Sequence, residues 1–296
     1  MFEEAQLYSP VTTAADGTVT VQLVQGHPGL ADPEYQRRRN EIAAAAVAWS
    51  PGEPVPVIDY TEVEHEVWRT VCRHLEPRHE TYACKEFRAA LQSLDLPRDR
   101  VPQLHEVSAA LQPLTGFSYV PAPGIVPLEQ FYGSLEDGLF HSTQYLRHHA
   151  APLYTPEPDV LHEVMGHANL LADPQLAELN RLAGAAARRC TTPRALKAVT
   201  SVFWFSIEFG VLWEGTDLVA YGAGILSSYG EIEEFRSMEI RPLDVVEMAT
   251  IEYDITRYQS TLFAGESFGH VVDVVGAFFA DADDDMPDRL GLPARS

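Results

Sequence analysis

Cysteine is scarce in this chain: Cys72, Cys84 and Cys190 are the only three in 296 residues, widely spaced and in no CxxC pair. That excludes a disulfide framework and a cysteine-rich zinc site, and reads as ordinary reduced thiols. Positive charge is short as well, with 21 Lys plus Arg against 43 Asp plus Glu, a net −22 with histidine neutral. A surface this acidic repels phosphate backbones and anionic headgroups, so neither nucleic acid nor a membrane is an expected partner. No apolar run approaches the ~20 residues that span a bilayer. The longest tempting stretch, Val199 to Val211, carries Glu208 inside it. The opening MFEEAQLYSP is acidic and has no apolar signal region, so a cytoplasmic location is expected. Repeats of fixed period and Gly/Ser-rich linkers are missing too. What remains is 46 % hydrophobic and 22 % charged, a composition that excludes disorder over the bulk of the chain and can bury a substantial core.

Alternation in TVTVQLVQ (18–25) predicts one short strand. From Asp32 the pattern turns helical, with an N-cap Asp, Pro33 after it and a helix-forming body. Residues 61–93 read as two helices broken at Glu76-Pro77, and 96–130 as a Pro-punctuated loop around a short helix at 105–112. APLYTPEP (151–158) is a stiff approach to a helix capped by Asp159, and further helices are expected at 174–190, 193–211, 242–251 and 267–280. The division expected is an N-terminal extension over 1–25, a mostly α domain over 26–280, and an acidic, disordered tail over 281–296.

The chemistry-bearing residues begin with His162 and His167 in HEVMGH. In the zinc-peptidase HExxH the histidines sit four apart on one helical face. Five residues is about 500° of turn, which leaves the two rings about 140° apart on an ideal helix. Both reach one metal only if the helix loosens between them, a freedom Gly166 supplies. Taken alone, the pair reads more readily as two unrelated histidines on a helix, one satisfied in the core. Glu208 adds weight, because it lies among Phe203, Trp204, Phe205, Ile207 and Phe209. A carboxylate there is costly to bury without a cation or firm hydrogen bonds. Two His and one carboxylate form the facial triad of non-haem Fe(II) oxygenases, which leaves metal positions open. A salt bridge from Glu208 to an arginine is the plainer alternative.

The run HSTQYLRHHAAPLYTPEPDVLHEVMGHANLLADP, with HPGLADPEYQRRRNEIA, VPQLHEVS, FWFSIEFG and AYGAGILSSYGE, resembles the catalytic domain of the pterin-dependent aromatic amino acid hydroxylases. With the weaker YDITRYQSTLFAGESF the resemblance covers about residues 26–280. It implies a mostly α, single-domain fold, a helical basket with a few short strands. It also implies Fe(II), a tetrahydropterin and O₂ acting together on the ring of a free aromatic L-amino acid.

Carried over residue by residue, the resemblance makes His162, His167 and Glu208 the iron ligands and places Glu163 beside pterin and iron. Phe131 would stack on the pterin, with Val126, Leu128 and His141 lining the rest of that site. Arg147 would hold the substrate carboxylate, oriented by Asp159. Thr155, Trp204, Phe209, Gly224 and Ser227 would surround the amino acid and its ring. Taken singly, Phe131 could be core, Arg147 a surface charge, Gly222 and Gly224 a tight turn, and Glu231 a solvated carboxylate.

Two departures bear on the substrate. Phe203 stands where the family usually has Tyr, and Ile255 where its tyrosine enzymes carry an aspartate. With Trp204 in place of the Phe of the tryptophan enzymes, L-phenylalanine to L-tyrosine is the expected reaction. Meta-hydroxylation of phenylalanine and 5-hydroxylation of tryptophan are the alternatives of the same chemistry. The resemblance leads us to expect a monomer without a regulatory or tetramerisation domain. Two rivals of other classes are a zinc metallohydrolase using Glu163 as general base and a non-enzymatic amino acid binder.

Overall fold

The computed structural model describes residues 9–124, 126–254 and 258–293, the side chains of Leu128 and Glu129 excepted. Local signals place the first helices. Asp32 Oδ1 accepts the backbone N–H groups of Glu34 and Tyr35, Pro33 sits where no N–H is needed, and α1 runs over Pro33–Ala48. A capping box between Thr61 and Glu64 opens α2, Glu62–Tyr82.

Pro77, expected to break this segment, lies inside α2. A proline there removes one backbone hydrogen bond. The same helix buries Val67, Trp68, Val71, Cys72, Leu75 and His79, and that packing holds it together. The break falls instead at Ala83-Cys84, where Cys84 Sγ accepts from Phe87 N at 3.4 Å and caps α3, Lys85–Leu94.

The Pro-punctuated stretch is more ordered than its composition suggests. It carries α4 (Leu104–Thr115), β3 (Ser118–Pro121) and α5 (Leu128–Glu136). β3 pairs in parallel with β4, Leu139–Ser142. Near the N-terminus, β1 (Val11–Thr13) and β2 (Val19–Val21) form an antiparallel hairpin where a single short strand over 18–25 was expected.

The second half holds α6 (Pro174–Arg189) and α7 (Pro193–Phe203). After them comes a four-stranded mixed sheet of order β6-β5-β8-β7, with β5 Val211–Glu214, β6 Asp217–Ala220, β7 Glu239–Pro242 and β8 Thr261–Gly265. Short helices α8 (Ala223–Ser227), α9 (Tyr229–Glu234) and α10 (Val245–Thr250) fill the turns between strands. α11 (Phe268–Asp281) packs against α6.

The acidic end is not a loose tail in its described part. Ala282, Met286 and Leu292 are buried, α12 spans Met286–Arg289, and Asp284 accepts the Thr191 and Thr192 backbone N–H groups. One apolar core, from Ile42 to Leu292, joins these elements except the β1–β2 hairpin, whose Val19 and Val21 pack with Ala43 of α1 in a small separate cluster. The fold is therefore a single, mostly α domain. Among the described residues no helix is long and apolar enough to cross a membrane.

Candidate active site

Two irregular helical turns build the centre. Residues His162–Ala168 form a π-helix, and Trp204–Glu208 a second one continuing α7. In a π-helix the hydrogen bonds run i to i+5, so residues five apart stack one turn above the other. This is how the HxxxxH spacing, divergent on an ideal α-helix, becomes convergent. His162 Nε2 and His167 Nε2 lie 3.1 Å apart.

The second π-turn delivers Glu208, with Oε1 3.0 Å from His167 Nε2 and Oε2 3.8 Å from His162 Nε2. Metal bonds of about 2.1 Å meeting at right angles set neighbouring donors about 3 Å apart. The three side chains therefore fit one ion on a single face, and no arginine takes the Glu208 carboxylate among the described residues.

Protonation states suit that use. Burial holds the His162 imidazole down at about 4, helped by the neighbouring His167, so it is neutral at physiological pH. Burial alone would raise Glu208, but the charge and hydrogen bond of His167 hold it below the usual carboxylate range. Glu163 also places an oxygen within 4.8 Å of the two imidazoles. Burial, with the charges of Glu208 and Asp159, pushes it well above the ordinary value. Glu208 is the better metal-donor candidate on geometry, since its two oxygens face the two imidazole Nε2 atoms at 3.0 and 3.8 Å.

Gly166 does not act through flexibility, since its backbone is helical. A Cβ there would lie 2.8 Å from Ala223 O, so the glycine lets α8 approach the π-helix. That approach carries Ser227 to His162, Oγ to Nδ1 at 2.8 Å. The bond fixes the ring so that Nε2 faces the centre. Ser227, expected at the substrate, is thus a partner of a metal-ligand candidate.

Gly222 and Gly224 are likewise close-packing positions and not a turn: Cβ atoms there would lie 2.4 Å from Glu208 O and 2.8 Å from Phe209 Cζ. Gly166→Ala is expected to cost about 1–3 kcal/mol of stability and to weaken metal retention by displacing Ser227. Thermal unfolding and iron content check this, and an unchanged iron stoichiometry would separate Gly166 from the site.

Beside the centre, Asp159 grips Arg147. Nε and Nη2 donate to Oδ2 and Oδ1 at 2.9 and 2.8 Å, and the Arg147 backbone N–H adds 2.7 Å. Asp159 is fully buried and Arg147 only 4 % exposed. Burial alone would raise the Asp159 carboxyl, but the guanidinium holds it below its ordinary value. Asp159 also caps the helix that follows, accepting from His162 N at 3.3 Å. One side chain therefore ties Arg147 to the metal-ligand helix. Nη1 of Arg147 makes no hydrogen bond among the described residues.

The remaining expected residues divide by location. Trp204 and Phe209 pack together with ring centroids 4.6 Å apart, and Tyr253 stacks on Trp204 at 5.0 Å. Thr155 spends its hydroxyl on Glu157 O and shapes the loop before Asp159. Phe131 meets Phe140 and Phe203 edge-on, and Phe140 lies against the His167 ring. Val126 and His141 line a cleft of about 490 Å³ with Trp49, Gln130 and Ser134. His141 Nδ1 is 3.0 Å from Ser134 Oγ.

Leu128 opens α5, but its side chain, like all of Ile255, lies outside the described residues. Glu231, a solvated carboxylate on the plainest reading, is buried, and burial pushes it to about 7. The contributions of Phe140, Tyr253 and Gln259 were not visible in the sequence, which gives aromatic and amide residues no distinguishing pattern.

Residues 14–286 match the family described as biopterin-dependent aromatic amino acid hydroxylase. A phenylalanine 3-hydroxylase of Streptomyces coeruleorubidus is 48 % identical over 271 residues, 91 % of this chain and 97 % of that one. Phenylalanine-4-hydroxylase of Rattus norvegicus is 38 % identical over 88 % of this chain, which spans 58 % of the rat enzyme's length. A solved structure of Chromobacterium violaceum phenylalanine hydroxylase, with bound iron(III) and 7,8-dihydrobiopterin, superposes with a TM-score of 0.75. It is 28 % identical, covering 85 % of this chain and 91 % of that one.

Proposed function

The chain belongs to the biopterin-dependent aromatic amino acid hydroxylases, and from that premise we propose that it hydroxylates free L-phenylalanine at the meta carbon, giving L-meta-tyrosine. It is an enzyme of the aromatic amino acid monooxygenase type, working with iron and a tetrahydropterin. The observation that carries the reaction is the convergence of His162, His167 and Glu208 at 3.0–3.8 Å. Meta attack is supported by the 48 % identity to the 3-hydroxylase over nearly the whole of both chains. On that ground it stands ahead of the para product expected from Trp204 and Ile255. Para-hydroxylation remains the second reading, favoured by the 38 % identity to the rat 4-hydroxylase.

In this proposal His162, His167 and Glu208 would hold the iron. When bound, iron and tetrahydropterin supply the activation of O₂ that places one oxygen atom on the ring. The protein's own contribution is orientation. Arg147, gripped by Asp159, offers its free guanidinium edge to the substrate carboxylate, a charge-assisted and potentially bidentate contact. Trp204 and Phe209 flank the ring, so the span from carboxylate to ring decides which carbon meets the oxidant. Phe131 offers a face to the flat pterin, with Val126 and His141 beside it. Glu163, whose oxygen lies within 4.8 Å of the two imidazoles, shapes the site beside the pterin.

A competition assay tests the proposal. Protein loaded with Fe(II) and tetrahydropterin would receive equal phenylalanine, tyrosine and tryptophan in air, with all hydroxylated isomers resolved by chromatography. Meta-tyrosine is the expected main product. Para-tyrosine would overturn the ring position and keep the substrate. 5-Hydroxytryptophan would overturn the substrate, and no hydroxylated product at all would overturn the reading of the site.

A further inference from the structure

Trp204 carries one polar atom, its indole N–H, within a half-buried aromatic wall, and a donor there needs an acceptor. The acceptor is Gln259 Oε1, 3.1 Å from Nε1. Gln259 is only 5 % exposed, and its amide is held from the other end, where Nε2 donates to the Asp254 carbonyl at 3.2 Å. That second bond determines that the oxygen of the amide faces the indole. The Gln259 backbone N–H goes to the Glu231 carboxyl on α9. One residue, through its side chain and its backbone N–H, therefore ties the Glu208-bearing π-turn, the segment before β8 and α9 together.

Apolar contact cannot supply the same restraint. Tyr253 stacks on Trp204 nearly parallel, at 13°, and Lys197 Nζ lies 4.6 Å from the Tyr253 ring centroid. Stacked rings slide over one another at little cost because burial is non-directional. A hydrogen bond along the indole N–H forbids both sliding and rotation of the ring.

We propose that Gln259 is a positioning residue which, by fixing the Trp204 indole, sets the lateral placement of the substrate ring and hence which ring carbon is hydroxylated. This rests on Trp204 being a wall of the ring pocket. Neighbouring ring carbons are one bond apart, and a misplacement of about 1 Å can change a rate ~10²-fold. Regiochemistry is therefore the property a loosened wall loses first.

The test reads the indole directly, before any turnover. The chain has four tryptophans, so ¹⁵N-tryptophan labelling gives four indole signals, and Trp204→Phe identifies one of them. In the wild-type protein the Trp204 N–H is expected to exchange slowly with solvent; rapid exchange would overturn the clamp without any variant. Gln259→Met keeps the length and removes the amide. It is expected to shift the Trp204 signal and speed its exchange about fivefold or more, while the other three signals report that the fold is intact.

Loaded with Fe(II) and tetrahydropterin, the Gln259→Met protein should change its ratio of meta- to para-tyrosine about fivefold and oxidise pterin without matching product. The same change made in Trp204→Phe, which has no N–H to hold, should add nothing further. An indole signal that moves while the isomer ratio stays put would overturn the proposal, as would equal effects of Gln259→Met in both backgrounds. A wild-type protein that forms no hydroxylated phenylalanine would overturn the reading of the pocket, and with it the regiochemical role. The exchange data would still show whether the clamp exists.

Discussion

Replacing His167 by alanine is expected to strip the iron from the protein and abolish turnover. The reason is the narrowness of the donor set. His167 Nε2 is within 3.1 Å of both other donors, so its loss leaves two ligands, one of them Glu208, whose ionised state His167 supports. His162→Ala should behave in the same way. Ser227→Ala should be milder, because it removes only the bond that orients His162; partners of this kind change metal affinity about 10–100-fold.

Iron content after reconstitution ranks the variants, and thermal stability supplies a readout independent of activity. An ion held only by the folded state adds about 2.7 kcal/mol at a hundred times its Kd. That metal-dependent rise in Tm should be present in the wild type, reduced in Ser227→Ala and missing in His167→Ala. Normal iron stoichiometry in both histidine variants would sink the triad assignment.

Arg147→Ala is expected to raise the KM for phenylalanine by about 10²-fold, in line with the loss of charge-assisted hydrogen bonds, and to leave the KM for tetrahydropterin within about twofold. The change also strands Asp159, fully buried and paired with Arg147 through three hydrogen bonds. Breaking a buried pair in this way costs about 3–5 kcal/mol, so the alanine protein must be assayed well below its lowered Tm. Arg147→Lys separates the two effects: it keeps a positive charge beside Asp159 and loses the planar fork. Its stability should stay closer to wild type while the phenylalanine KM still rises. If KM rises equally for amino acid and pterin, Arg147 supports the fold and does not anchor the substrate.

Much of the architecture was legible because its causes are local. Asp32 before Pro33 and Thr61 before Glu64 cap helices with their own side chains, and the caps form where the sequence places them. Asp159 was legible in the same way. Pro77 misled because its cost is local, whereas the apolar face that keeps α2 continuous packs against distant parts of the chain. The acidic end misled for a similar reason. Its charges read as a solvated tail, but Asp284 finds the backbone of 191–192, far away in sequence.

At the site, the residue types were readable and their roles only partly so. A glutamate among aromatics announces a buried charge, and the resemblance joined it to the two histidines. Ser227 was read as a substrate contact because nothing in its neighbours reveals that Gly166 lets α8 close onto His162. Gln259 has no signal of its own; its role exists only where its side chain meets Trp204.

The amino-acid sequence by itself determined the mostly α class, the family and the candidate side chains for iron, pterin and an amino acid. These follow from composition, caps and a motif block, all of which are written along the chain. Tertiary structure alone decided that histidines five apart converge, through a π-turn, with the Glu208 carboxylate 3.0 and 3.8 Å from their Nε2 atoms. It also decided that Ser227 and Gln259 each hydrogen-bond another side chain of the site, His162 and Trp204. Burial and contacts between residues remote in sequence create those roles, and neither has any expression in a linear pattern.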